Sequence, residues 1–300
     1  MSTGIFSCRL PLPTNYRLQD ILSFHVRDTL AVSESVEANR LRKGILWHGS
    51  TACLSLRFLP QWVEIELNIN DTPESFEVDE LSELAVRMLG LNQPIDVFEE
   101  SVGQHPQLGL LINKQSGLRV PVAPTVFEAL SWAITGQQIS VAAAISIRRK
   151  FIQLIGLQHS SGLYCYPDAR HVTALSLVGL RQAGFSQSKA QTLLMVSQMM
   201  VSGELELHDA QKEPPIEQIR QQLMKIRGIG PWTVNYALLR GYGWLDGSLH
   251  GDAAVRRGLH LLLNSVEPMD ENQTRQWLEK FTPWRALVAA HLWELISSGG

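Results

Sequence analysis

Three hundred residues, 45% hydrophobic and 18% charged, suit two domains or one large one and exclude a mostly disordered chain. A net charge of -3 excludes a globally basic protein, so any nucleic-acid contact must rest on a local positive patch. Cys8, Cys53 and Cys165 are scattered and form no CxxC pair, which argues against a zinc or four-cysteine iron–sulfur site and fits a reducing compartment. No basic start with an apolar run opens the chain and no apolar run spans a bilayer, so a soluble, cytoplasmic protein with no membrane association is expected.

In chain order, the first ninety or so residues read as mixed α and β. Leu54, Leu56 and Phe58 alternate with polar residues, as do Val63, Ile65, Leu67 and Ile69, with Pro60–Gln61 between the two runs. That pattern predicts an antiparallel hairpin with one buried face. Leu81, Leu84, Ala85, Met88 and Leu89 follow helical spacing, so a helix packs on the sheet. The stretch from Ser101 to Pro124 is rich in Gly, Pro and polar residues and reads as a connection. Beyond it the pattern is helical. Thr125 and Glu128 form a T-x-x-E capping box, and Ser140, Asp168, Ser186 and Pro215 mark further helix starts. Pro283 opens a last helix from Trp284 to Ile296. The fold class expected is mostly α with an N-terminal α+β domain, residues 1–95, followed by an all-α domain, residues 96–300.

Two features stand out. The first is "RGIGP", where Gly228 and Gly230 allow positive φ and close backbone approach and Pro231 suits a first helical turn. Such a turn exposes backbone N–H groups at a helix N-terminus, an anion site into which a DNA phosphate fits, with Lys225 and Arg227 alongside. An ordinary corner between two helices is about as good a reading of the glycines alone. The second is Asp252, set among small residues before "AAVRRGL". It is a very good helix N-cap, and a carboxylate there is favoured in its charged form, so capping and catalysis are compatible. Trp232 and Tyr236 share one helical face, and "PWRALVAAHLW" supplies Trp284, His291 and Trp293. Aromatic stripes usually pack in cores, but these residues also stack on extruded bases.

The segment "KIRGIGPWTVNYALLRG…GDAAVRRGL" closely resembles the helix-hairpin-helix–Gly/Pro–Asp superfamily of DNA glycosylases. Together with "TVFEALSWAITGQQIS" and "PWRALVAAHLW" it is similar to the AlkA-type branch, the DNA-3-methyladenine glycosylase II enzymes, over most of the chain. The resemblance implies a helix-hairpin-helix glycosylase fold with a cleft between helical subdomains, and Asp252 as catalytic residue. It implies a base pocket of Trp232, Tyr236 and Trp293, and DNA contacts from Arg227, Gly228, Ile229 and Gly230, with Arg240 nearby. Gln138 falls where the family inserts a wedge residue into the duplex, although the best-known pattern has leucine there. His250–Gly251 replaces a proline-containing run that often precedes the aspartate. No cofactor is implied beyond a monovalent cation at the hairpin, held by the carbonyls of Met224, Ile226 and Gly228.

Bifunctional relatives carry a nucleophilic lysine two residues after the second hairpin glycine, where this chain has Trp232. Without an amine no Schiff base forms there. The expected activity is a monofunctional base excision repair glycosylase that flips alkylated purines from damaged double-stranded DNA and leaves an abasic site, acting as a monomer. The alternatives are an oxidised-purine glycosylase of the same superfamily and a non-catalytic damage-binding module. A metal enzyme is disfavoured because the nine histidines show no HxH or HExxH spacing.

Overall fold

The computed structural model describes residues 4–71, 77–209 and 213–298. The N-terminal part is an antiparallel sheet of β1 (Gly4–Pro11), β2 (Glu34–Glu37), β3 (Arg40–Trp47), β4 (Ser50–Phe58) and β5 (Trp62–Ile69), in the order β1-β5-β4-β3-β2. The predicted hairpin is β4 against β5, with Leu56 opposite Ile65 and Leu54 opposite Leu67. Period-2 alternation sends Val63, Ile65, Leu67 and Ile69 to one face, all at 1% exposure or less. Two amphipathic helices, α1 (Leu18–His25) and α2 (Val78–Met88), complete that core. α2 buries Leu81, Leu84, Ala85 and Met88, the residues whose spacing predicted it.

The rest of the chain is helical: α3 (Ile95–Val102), α4 (Leu108–Lys114), α5 (Val126–Gly136), α6 (Val141–Ile155), α7 (Ala169–Thr173), α8 (Leu177–Gln182), α9 (Gln187–Ser202), α10 (Ile216–Met224), α11 (Pro231–Tyr242), α12 (Ala253–Leu263), α13 (Glu271–Leu278) and α14 (Arg285–Ser298). They surround two cores. One runs from Ile95 to Leu292 with α5, α11, α12 and α14 at its centre, and the other lies between α5, α6, α8 and α9. The sheet core ends at Leu89 and the larger helical core starts at Ile95. On that ground we propose that the division lies just before Ile95, where α3 begins, one residue ahead of the expected cut between 95 and 96.

Two expectations are corrected. The stretch 101–124 is not only a connection, because α4 buries Leu108, Leu111 and Ile112 at helical spacing. Thr125 does cap α5, accepting from the Glu128 N–H, but no capping box closes. The Glu128 carboxylate turns inward instead, where the Lys43 Nζ donates to it at 2.8 Å. Lys43 also donates to Glu34 at 2.8 Å, and Arg148 donates to both carboxylates. His25 completes the cluster through Glu34. Lys43 is 1% exposed, so α1, the sheet, α5 and α6 are joined by a buried charge cluster. Burial opposes the Glu34 charge, yet Lys43, Arg148 and His25 hold its carboxyl well below the usual range.

His291 on α14 is fully buried, its Nδ1 2.7 Å from the Gln115 Oε1. Burial, reinforced by nearby Arg17, pushes its imidazole down to about 3 from an ordinary 6.5. The unfolded chain therefore takes up a proton there below pH 6.5 while the folded chain does not. Stability present above pH 6.5 is lost as the pH falls toward 3, by about 2 kcal/mol at pH 5 from this one group. Urea midpoints at pH 7.5 and 5 should show that loss, and His291→Gln should flatten it. An equally steep acid limb in the variant would contradict the assignment.

Candidate active site

The "RGIGP" stretch forms the turn between α10 and α11. Gly228 has φ +90°, a left-handed conformation that a side chain resists. A Cβ on Gly228 would also lie 2.2 Å from the Thr192 Oγ1, which donates to the Arg227 carbonyl at 3.1 Å. Gly230 departs from expectation, with φ −108° and ψ 176° in ordinary extended backbone. Its lack of a side chain matters differently, because nothing lies within 4 Å of where a Cβ would be. The turn is thus open at the start of α11, where Pro231 occupies the first position.

Among the described residues the amides of Gly228 and Gly230 have no acceptor, whereas the Ile229 N–H donates to the Ile226 carbonyl at 3.1 Å. The Ile229 side chain is buried in the helical core. The turn therefore presents the Gly228 and Gly230 amides, with Lys225 and Arg227 exposed beside them. Two of the three carbonyls named for a cation each accept one hydrogen bond, Ile226 from the Ile229 N–H and Gly228 from the Gln137 Nε2. Each keeps a second lone pair, and an all-carbonyl donor set fits a monovalent cation. Gly228→Ala should cost about 2–4 kcal/mol from strained φ and the clash with Thr192. It should also weaken binding to an abasic duplex roughly tenfold, through the lost amide geometry. Urea unfolding and fluorescence anisotropy measure the two effects, and unchanged binding would remove the turn from the DNA contact.

Asp252 is the N-cap of α12. Its Oδ1 accepts from the amides of Ala254 at 2.8 Å and Val255 at 3.1 Å. Two indoles converge on the same carboxylate: the Trp232 Nε1 donates to Oδ2 at 2.9 Å and the Trp293 Nε1 to Oδ1 at 3.2 Å. The rings form one assembly. Trp232 stacks on Tyr236 with centroids 5.1 Å apart, and Tyr236 meets Trp293 at 6.1 Å. The structure thus brings Asp252, Trp232, Tyr236 and Trp293 together, as the sequence suggested.

The surroundings explain how. The loop before Asp252 is pinned by the Asn235 Nδ2, which donates to the Ser248 carbonyl at 2.7 Å, and by fully buried Leu249. Arg285 forks onto Asp246 at 2.8 and 3.0 Å, tying the start of α14 to the same loop. A Cβ on Gly258 would lie 2.6 Å from the Leu292 carbonyl, so its absence lets α12 and α14 approach closely enough for Trp293 to reach Asp252. His250 in this loop pairs with the Ser248 hydroxyl at 2.8 Å, and burial holds its imidazole below the ordinary value.

Gln138 follows α5, exposed and at φ +54°. Beside it Ile139 is 38% exposed, a large apolar side chain left in solvent. Gln137 fixes this loop to the hairpin by donating to the Gly228 carbonyl at 2.9 Å and the Thr233 hydroxyl at 2.8 Å. Sequence reading missed Gln137, Ile139 and Trp132, whose Nε1 donates to the Tyr236 hydroxyl at 3.1 Å. Only Trp132 left a signal, since α5 places it on the turn before Gly136 that faces Trp232. Arg240 is corrected: it is 7% exposed, donates to the Pro121 carbonyl at 2.9 Å, and points inward rather than toward DNA.

A family model described as "HhH-GPD superfamily base excision DNA repair protein" matches residues 131–283, just over half the chain. The chain belongs to this superfamily. It is similar to a DNA-3-methyladenine glycosylase of Bacillus subtilis, 23% identical over 292 residues and 96% of each chain. It also resembles the solved 3-methyladenine DNA-glycosylase from Archaeoglobus fulgidus, with a TM-score of 0.81 at 23% identity, covering 97% of this chain and 99% of that one. A Clostridium acetobutylicum 8-oxoguanine glycosylase/lyase, solved with double-stranded DNA, shares the fold at a TM-score of 0.74 and 15% identity, covering 99% of this chain and 98% of that one. The HhH-GPD segment starts within α5 and ends just before α14, so it contains Gln138, the hairpin, Trp232, Tyr236 and Asp252 but not Trp293.

Proposed function

We propose that this chain is a monofunctional DNA-3-methyladenine glycosylase. The observation that carries the reading is the Asp252 carboxylate held by two tryptophan indoles beside an aromatic stack, with Trp232 where a lyase needs lysine. Duplex DNA is held by the free amides of the hairpin with Arg227 and Lys225. The exposed loop carrying Gln138 and Ile139 fills the space left when the damaged nucleotide turns out. The extruded base stacks on Trp232, Tyr236 and Trp293, and a cationic alkylated base gains roughly 0.5–2 kcal/mol over such rings.

Three donors already crowd the Asp252 Oδ1 and one reaches Oδ2. Oδ2 therefore keeps more lone-pair capacity and is the oxygen assigned to face the sugar. Its charge stabilises the oxocarbenium-like centre as the N-glycosidic bond lengthens, and water adds to the anomeric carbon. The electron pair of the broken bond leaves with the base, which neutralises the alkylated ring. A carbonyl-bound monovalent cation at the hairpin would add positive potential for a phosphate and takes no part in the bond changes.

Incubation with methylated duplex DNA tests the reading. Free 3-methyladenine, abasic sites, no strand cleavage and no borohydride-trapped adduct are expected. Tight binding without release would make the chain a damage-binding module. A trapped adduct would establish an amine nucleophile and overturn the monofunctional assignment.

A further inference from the structure

A cavity of about 60 Å³ lies where α1 and the N-terminal sheet meet α5, α6 and α11. Its wall carries four cations, Arg27, Lys43, Arg148 and Arg240, against three carboxylates. The carboxylates are committed: Asp28 pairs with Arg149, and Glu34 and Glu128 each pair with Lys43 and Arg148. His25 on the same wall is held neutral more readily, because burial lowers its pKa. Arg240 is left over. It is 7% exposed, and among the described residues no carboxylate pairs with it. Its Nη1 donates to the Pro121 carbonyl at 2.9 Å, but Nε is buried without an acceptor.

A second guanidinium adds to the imbalance. The Cζ atoms of Arg240 and Arg27 lie 4.6 and 4.7 Å from the same Phe24 ring. Arg27 is exposed, so positive charge runs from solvent inward to the buried Nε. Burial lowers the Arg240 pKa, and Arg27 adds to the effect. A buried cation with one donor unmet is costly unless something else satisfies it. A water in the cavity would meet the hydrogen bond but would leave the charge uncompensated. Phe24, Ala129, Trp132 and Ile145 make the rest of the wall apolar, which suits a weakly hydrated ion over a polyvalent one.

We infer that this cavity is a binding site for one small monovalent anion, chloride or a one-carbon carboxylate, which accepts from the Arg240 Nε. One negative charge balances the one guanidinium that no carboxylate meets. The space admits about two waters' worth of volume, enough for chloride or formate but not for a sugar acid such as gluconate. The occupant takes no part in glycosidic-bond chemistry. It joins α1 to α11 and favours the folded chain by mass action.

The test is urea unfolding of the full chain at constant pH and ionic strength, with sodium gluconate replaced stepwise by sodium chloride or sodium formate. The midpoint should rise and then level off, as one saturable site requires. Arg240→Met should remove that dependence, and Arg240→Lys should keep it with a half-saturating concentration at least tenfold higher. A lower half-saturating concentration for formate than for chloride makes the occupant a carboxylate, and the reverse order makes it the halide; both support the site. A rise that never saturates, or one equal in wild type and Arg240→Met, is a general salt effect at the surface and would overturn the site. A flat response in the wild type would mean that water fills the cavity, and would overturn it too. A measurement on the unaltered protein guards against misfolded variants: crystals grown in sodium bromide should show anomalous density against the Arg240 Nε. Bromide found only elsewhere on the protein would also overturn the inference.

Discussion

Asp252→Asn should lower base release by a factor on the order of 10²–10³ or more, while binding to an abasic duplex stays within about threefold of wild type. The charge proposed to face the developing sugar cation disappears, but the hairpin proposed to hold phosphate is untouched. The geometry adds a second, smaller effect. An asparagine Oδ1 can still cap α12 through Ala254 and Val255, since Asn is as good a cap as Asp. The amide cannot accept from Trp232 through its NH2 group, so one indole N–H loses its partner. The variant should therefore be less stable by about 1–3 kcal/mol and remain folded. Stopped-flow or quench kinetics on methylated DNA and a urea melt separate the two effects. Near-normal turnover would remove Asp252 from the chemistry.

Lys43→Met should destabilise the protein by about 3–5 kcal/mol, the loss expected when one member of a buried charge cluster is removed. The ammonium sits 2.8 Å from both Glu34 and Glu128 and is 1% exposed. Without it, two buried carboxylates face Arg148 alone, because burial keeps His25 from taking a proton readily. Replacing Lys43 by Met together with Glu128 by Gln should be milder than the single change, since the unpaired charge is then gone. Equilibrium urea unfolding of the two variants gives the comparison. A single-variant loss under about 1 kcal/mol would mean that water screens the cluster.

The structure also shows which parts of the molecule one sequence can reveal. Helix starts are local events, and Ser140, Asp168 and Ser186 each accept the amide three residues on, as their spacing predicts. The strand pair β4–β5 was legible for the same reason, its alternation and its turn lying within one short stretch. The charge cluster was not, because Lys43 and Glu128 lie 85 residues apart and Arg148 and Glu34 lie 114 apart, and nothing local distinguishes them from surface charges. Glu128 even matched a capping box, and a long-range partner outcompeted the local one. β1, β2 and β3 were missed for different reasons: β2 has only four residues, β3 interrupts the alternation of Leu41, Ile45 and Trp47 with charged Lys43, and β1 leaves Phe6, Cys8 and Leu10 only half-buried.

At the candidate site the motif residues were visible and their supports were not. Asp252, Trp232, Tyr236 and Trp293 were named from the sequence and meet in space. Gly258, which lets α14 close on α12, reads as an ordinary helix glycine until the backbone of Leu292 is placed against it. Arg240 was misread as a DNA contact, although its position four residues after Tyr236 put it on the same inward face.

The double duty proposed for Asp252 bears on how this chain could change over generations. The residue closes a helix end and anchors two tryptophans, so selection for a folded protein alone would retain it. A duplicate freed from repair would keep the aspartate long after it stopped cutting glycosidic bonds. Loss of function should instead surface first at positions with no part in folding, such as exposed Gln138, Ile139 and Arg227. The drift of those three, rather than the persistence of the carboxylate, is what would mark a silent descendant.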